Sequence, residues 1–116
     1  MKIIVEKDSI VYLYGFSTML ESKLINLIKI IEQQLKLNHQ ISIVFIHDGV
    51  IGTSKTNKIS ASMKKLLDLP ITTHSLLPDL KARGIHTTNL QNKVKGIEYE
   101  DLVDILVSNP KIVSWM

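Results

Sequence analysis

Short, nearly continuous apolar runs alternate along the chain with stretches in which apolar residues recur every three or four positions. The short runs predict β-strands, because β-branched and aromatic residues pack well on a pleated surface. These runs are residues 10–14 (IVYLY), 41–46 (ISIVFI), 71–75 (ITTHS) and 111–115 (KIVSW), with a further short strand predicted at residues 2–5 (KIIV). Residues 41–46 are apolar at nearly every position, which predicts a central strand covered on both faces, as in parallel sheets.

Two helices are predicted in the first half of the chain. Thr18 and Glu21 have the spacing of a capping box, which predicts that a helix begins at Thr18, and Asn38 is a suitable left-handed residue to end it. The apolar stripe of this helix comprises Leu20, Leu24, Leu27, Ile28, Ile31 and Leu35. A second helix is predicted at residues 57–67, with Ile59, Met63, Leu66 and Leu67 facing the core and Lys58 and Lys65 facing away.

Two shorter helices follow. Pro78 suits the first helical position and Gly84 the position just past the helix end, while Asp79 and Arg83 have the spacing of a surface ion pair. The last helix is predicted from Tyr99 to Val107, ending before Asn109 and Pro110, with Leu102, Val103, Leu106 and Val107 inward.

This alternation of strands and helices predicts the fold class. We expect an α/β protein: a single three-layer domain over residues 1–116, with a mainly parallel sheet and helices on both faces. A chain of 116 residues can bury a core without a metal or a disulfide.

Composition excludes several function classes. Lys and Arg total 14 against 11 Asp and Glu, a net charge of +3, which falls short of the basic stripe of a dedicated nucleic-acid binder. The chain has no cysteine, which excludes thiolate catalysis and disulfides by this chain alone. Glu6, Lys7 and Asp8 interrupt what would be the apolar core of a signal peptide, and no apolar stretch is long enough to span a membrane. We therefore expect a cytoplasmic protein without a membrane partner.

The sequence His47-Asp48-Gly49 follows the predicted central strand. In open α/β sheets ligands bind beyond the carboxyl ends of the strands, so this turn is a candidate chemical site. The alternative is that Asp48 and Gly49 only form a tight turn, with glycine supplying a backbone angle that other residues resist. A hydrolase is disfavoured, because no GxSxG motif or other nucleophile with an evident base is present.

Other polar features each allow two interpretations. Residues 49–58 (GVIGTSKTNK) resemble an anion-binding loop but lack the P-loop spacing, so an ordinary solvated loop is the alternative. The histidines, which are His39, His47, His74 and His86, have no metal-binding spacing, and we predict neither a metal nor a cofactor. The lysines Lys55, Lys58, Lys64 and Lys65 form either a solvated helix face or a contact for RNA phosphate or an acidic partner. Trp115 is either tucked into the sheet or offered to a partner.

Three segments in order resemble the DsrH/TusB group of the DsrE/DsrF/DsrH-like proteins. They are VFIHDGV at 44–50, THSLLPDLKARGI at 73–85 and GIEYEDLVDILVSNPKIVSW at 96–115. The family-motif or interface candidates are Asp48, Gly49, Asp79, Arg83, Gly84, Tyr99 and Trp115. His47 departs from the amide that the family more often has there, and the part before Ile10 is longer than usual.

The resemblance implies the compact parallel-sheet fold and a role in sulfur relay. Proteins of this family pass persulfide sulfur between cysteines, toward 2-thiolation of the wobble uridine of tRNA or in sulfur oxidation. Because this chain lacks cysteine, the resemblance implies a TusB-like, noncatalytic subunit whose partners are DsrE/TusD-like and DsrF/TusC-like chains, with indirect tRNA contact as one option. Homo-oligomers also occur in the family. The alternative function is a small-molecule module that binds a phosphate or a nucleotide through residues 48–58.

Overall fold

A computed structural model describes residues 8–56 and 58–115 of the chain. This part of the chain forms five β-strands, four α-helices and one 3-10 helix. In chain order they are β1 (Ser9–Tyr14), α1 (Glu21–Lys36), β2 (Gln40–Phe45), the 3-10 helix (His47–Thr53), α2 (Ala61–Asp68), β3 (Thr72–Leu76), α3 (Leu77–Ala82), β4 (Val94–Ile97), α4 (Tyr99–Ser108) and β5 (Lys111–Trp115). The strand predicted at residues 2–5 lies outside the described residues.

The strands form one parallel sheet in the order β4-β3-β2-β1-β5. The middle strand is β2, as its apolar pattern predicted. Its successive residues Ile43 and Val44 point to opposite faces of the sheet, and both are fully buried. The predicted α/β class with a parallel sheet is confirmed.

Helices cover the two faces of this sheet unequally. On one face, Leu27 of α1, Met63 of α2 and Leu80 of α3 pack with Ile43 and Phe45 in the larger core. On the other face, Leu102, Ile105 and Leu106 of α4 pack against a smaller core that contains Val11 and Val44. No residue of α4 is fully buried. The α4 side of the molecule is therefore the more exposed layer.

The prediction that α1 begins at Thr18 through a capping box is wrong. The helix begins at Glu21 after Leu20, and no side chain caps it. Thr18 is instead buried against Gly52, where a Cβ would lie 2.1 Å from the Thr18 hydroxyl oxygen. This long-range contact holds Thr18 outside the helix, which local spacing could not indicate.

The remaining helix boundaries follow local signals. Asn38 has a φ of 64° and Gly84 a φ of 69°, so both end their helices in the left-handed region, as predicted. Pro78 occupies the first turn of α3. The second helix begins later than predicted, at Ala61, because the Ser60 side chain accepts a hydrogen bond of 3.1 Å from the Met63 amide.

One prediction about α4 needs correction, and one strand was not predicted. Val103 and Val107 are exposed rather than inward, because they lie on the flank of α4 while Ile105 joins Leu102 and Leu106 on the sheet. The strand β4 was not predicted, because the sequence VKGI is short and includes lysine and glycine. Within the described ranges, no helix is long and apolar enough to cross a membrane.

Candidate functional site

The turn after β2 is a 3-10 helix that begins at His47. This residue is exposed and has a φ of 49°, so the left-handed conformation belongs to His47 and not to Gly49. Gly49 is required for a different reason: a Cβ there would lie 2.4 Å from the carbonyl oxygen of Tyr14. The interpretation that Gly49 supplies an unusual backbone angle is therefore wrong, and close approach to β1 explains the glycine.

A polar network ties this turn to α3 at the carboxyl edge of the sheet. The His47 amide donates to a carboxylate oxygen of Asp79 over 2.7 Å. The Arg83 guanidinium donates through Nε and Nη2 to one oxygen of Asp48, at 3.2 and 3.1 Å. Arg83 also donates through Nη1 to the backbone carbonyl of Asp79 at 3.0 Å. The turn and the helix are thus joined at two points.

The predicted ion pair between Asp79 and Arg83 does not form. The carboxylate of Asp79 is directed to the His47 amide, so Arg83 pairs with Asp48 across the loop. The Arg83 side chain is 26% exposed and that of Asp48 is 62% exposed. Solvent screens a pair this exposed, so we expect it to add little to stability.

The candidate residues divide into three locations. Asp48, Gly49, Asp79, Arg83 and Gly84 lie on the 3-10 helix and α3, which the network joins. Tyr99 begins α4 on the opposite face of the sheet and is exposed. Trp115 ends β5, where its ring stacks on that of Tyr14 with 6.5 Å between centroids and an angle of 24°. Of the two interpretations for Trp115, the structure favours the tucked one.

A cavity of about 480 Å³ opens between the starts of α1 and α2 and the end of the 3-10 helix. Its lining comprises Thr18, Met19, Glu21, Ile51, Gly52, Ser54, Lys58, Ile59, Ser60 and Met63. Of the predicted anion-binding loop, Gly52, Ser54 and Lys58 contribute to it, whereas Asp48 and Gly49 do not. Sequence reasoning missed Thr18 and Glu21 as lining residues, because their spacing indicated a helix cap.

The histidines lie apart from this cavity. The described residues contain no group of three potential metal ligands. His74 on β3 faces the α4 side, and its Nδ1 is buried without a hydrogen-bond partner in the described ranges. Burial lowers the pKa of His74 below its ordinary value; Lys95 lowers it further, while a backbone hydrogen bond involving Ile43 and the charge of Asp101 oppose the shift.

Comparison with known proteins identifies the family. The family model described as DsrH like protein matches residues 17–112. The chain belongs to the DsrH-like family. Among DsrH-like relatives, Protein TusB of Pectobacterium atrosepticum is 32% identical over 74 residues, which is 64% of this chain and 74% of that protein. Protein TusB of Pectobacterium carotovorum subsp. carotovorum is 31% identical over the same shares.

Solved structures share the fold of this DsrH-like chain. The YchN protein of E. coli superposes with a TM-score of 0.73 at 18% identity, covering 93% of this chain and 99% of YchN. A protein of unknown function from Methanobacterium thermoautotrophicum gives a TM-score of 0.64 at 15% identity, covering 89% and 96%. The family that the sequence resembled is confirmed, and the chain is a member of this sulfur-relay family.

Proposed function

We propose that the chain is a noncatalytic subunit of a sulfur-relay complex. The observation that carries this proposal is a DsrH-like chain of 116 residues with no cysteine. A persulfide forms on a cysteine sulfur, so this chain cannot carry the transferred sulfur itself. Its role is then to assemble with partners that do, namely DsrE/TusD-like and DsrF/TusC-like subunits. Its own residues perform no catalytic step.

An exposed apolar surface supports an assembly role. Tyr99, Val103 and Val107 recur every four residues on α4 and are 58%, 56% and 50% exposed. Ile112 on β5 is 47% exposed. We call these four residues the α4 surface. Exposed apolar patches on small proteins mark interaction sites, and a stable interface buries about 800 Å² of each partner.

The likeness to proteins named TusB supports tRNA 2-thiolation over sulfur oxidation as the pathway. In this proposal the complex works in the cytoplasm and the tRNA meets the partner subunits first, so contact with this chain is indirect. The network of Asp48, Asp79 and Arg83 shapes the carboxyl edge of the sheet and serves no chemical step. A homo-oligomer is the competing assembly.

The test is co-purification from the native cells. The tagged chain should bring with it at least one related subunit that contains cysteine, identified by native mass spectrometry. Val103→Glu on the α4 surface should reduce recovery of that partner by about tenfold or more, since a buried unpaired charge costs several kcal/mol. Ile25→Glu is the matched control, because Ile25 is exposed on α1, on the other face of the sheet.

Two results would contradict the proposal. One is recovery of the chain as a solitary monomer, or only with copies of itself. The other is a sulfur-transfer turnover catalysed by the purified chain alone. If both variants lose the partner to the same extent, the interface does not lie at the α4 surface, and the subunit role still stands.

A further inference from the structure

The cavity beside the 3-10 helix has the size and lining of a small-molecule site. Its volume of about 480 Å³ lies within the range of roughly 300–1,000 Å³ typical of ligand pockets. Ile51, Ile59 and Met63 supply apolar walls, and Met63 is 1% exposed. Ser54, Ser60 and Lys58 add polar groups. The lining therefore suits a ligand with a flat apolar body and a polar end.

The starts of α1 and α2 meet at this cavity. The Ser62 hydroxyl donates to Oε2 of Glu21 over 2.5 Å, which places the two helix starts side by side. The first amides of a helix have no partner within it, and they attract negative charge. Glu21 meets part of this demand, and its second carboxylate oxygen stays available to accept from a ring or amino N–H of a ligand.

Thr18 adds a hydroxyl to the polar part of the lining. It is 8% exposed and lies against Gly52, another lining residue. A ligand in the cavity can take this hydroxyl as a hydrogen-bond donor or acceptor.

One lysine lies in the cavity lining, and two more are close to lining residues in the sequence. Lys58 lines the cavity, Lys55 follows the lining residue Ser54, and Lys64 lies one turn after the lining residue Ser60. All three side chains belong to exposed residues, and residues 49–67 contain no Asp or Glu. Glu21 is the acidic residue of the cavity lining. The lining therefore combines one lysine, Lys58, and one carboxylate, Glu21, with apolar walls.

The geometry points to a nucleotide site, with the base between Ile51, Ile59 and Met63 and the phosphate on Lys58. Glu21 and Thr18 would hydrogen-bond to the edge of the base. A free nucleotide and a nucleotide of single-stranded RNA share this chemistry. The inference is separate from the subunit role, since it concerns the α1 and α2 side of the sheet and not the α4 surface. An RNA ligand would replace the indirect tRNA contact proposed above with a direct one.

Calorimetry on the full chain at low salt tests the inference. The probes are GMP, ribose 5-phosphate, inorganic phosphate and a single-stranded RNA of about five nucleotides, a length within the usual site sizes. GMP should bind at least about tenfold more tightly than ribose 5-phosphate or phosphate, because the base fills the apolar interior. RNA binding more tightly than GMP would identify RNA as the source, and the reverse order would identify a free nucleotide.

Two variants and one control locate the site. Lys58→Ala should weaken GMP binding about tenfold or more, as expected for a lost charged hydrogen bond. Thr18→Val keeps the side-chain shape and should weaken binding about threefold to tenfold. Lys111→Ala removes an exposed lysine from β5 and should leave GMP binding unchanged. Circular dichroism checks that each variant is folded. If Thr18→Val unfolds, Lys58→Ala still tests the site, because Lys58 is exposed and its replacement should not affect folding.

Three outcomes would overturn the inference. They are no heat with GMP or RNA at millimolar concentration, phosphate binding as tight as GMP binding, and an equal effect of Lys58→Ala and Lys111→Ala. None of them changes recovery of the partner subunit, so a failure here is distinguishable from a failure of the proposed function.

Discussion

Replacing Gly49 with alanine should destabilise the protein through a clash and not through backbone strain. The added Cβ would lie 2.4 Å from the Tyr14 carbonyl oxygen, a distance that real Cβ atoms essentially never show. That carbonyl also accepts the Ile46 amide at 3.0 Å, so it cannot move away freely. Overpacking costs about 1–3 kcal/mol and a weakened hydrogen bond about 1 kcal/mol. We expect Gly49→Ala to lower the free energy of unfolding by about 3 kcal/mol.

Gly84→Ala is the matched comparison. Gly84 has a φ of 69°, and a Cβ there would have no heavy atom within 4 Å. Its cost is therefore backbone strain alone, about 1 kcal/mol, and Gly84→Asn should recover most of it because Asn tolerates this region.

Urea unfolding followed by circular dichroism measures the change in unfolding free energy for both variants. In thermal melts, the Tm of Gly49→Ala should fall by about 10 °C. The reasoning is refuted if Gly49→Ala costs less than Gly84→Ala, or if its unfolding free energy stays close to that of the wild type.

Three further predictions concern polar groups. The Tyr14 hydroxyl is fully buried and has no hydrogen-bond partner among the described residues. Tyr14→Phe should therefore raise the free energy of unfolding, measured in urea, by about 1 kcal/mol. A lower unfolding free energy would show that the hydroxyl is hydrogen-bonded. Because burial lowers the pKa of His74, the unfolded chain takes up a proton at higher pH than the folded chain, and stability should fall as the pH drops below about 6.5. His74→Gln should flatten this dependence in melts at several pH values, whereas His86→Gln, at an exposed position, should not; equal slopes would contradict the assignment. Asp48→Asn breaks the exposed pair with Arg83 and should lower the unfolding free energy by at most about 1 kcal/mol, and by less at high salt. A much larger decrease would show that the pair stabilises the fold.

The fold was predictable where one segment carries its own pattern. The continuous apolar run of β2 indicates burial on both faces, and the three-and-four spacing of α1 indicates a helix with one buried side, which Leu24, Leu27, Ile28 and Ile31 confirm. The strand β4 lacks such a pattern, since Lys95 and Gly96 occupy two of its four positions. It becomes a strand by pairing with β3, with Val94 opposite Thr73 and Gly96 packed closely against Leu77. That stabilisation comes from distant residues, so a local pattern could not indicate it.

For the candidate site as well, the sequence indicates where residues lie in the fold but not which residues they contact. Carboxyl ends of parallel strands meet at one edge, so the sequence could place the His47-Asp48-Gly49 turn at that edge. It could not assign the contacts of Arg83, because two carboxylates lie within its reach and helical spacing favours Asp79. The left-handed conformation of His47 decides between them, since the His47 amide engages Asp79 and leaves Asp48 to pair with Arg83. A backbone angle at a non-glycine residue leaves no mark in composition or spacing. The predicted pair between Asp79 and Arg83 was therefore wrong, because the contacts of Asp79 depend on the φ of His47.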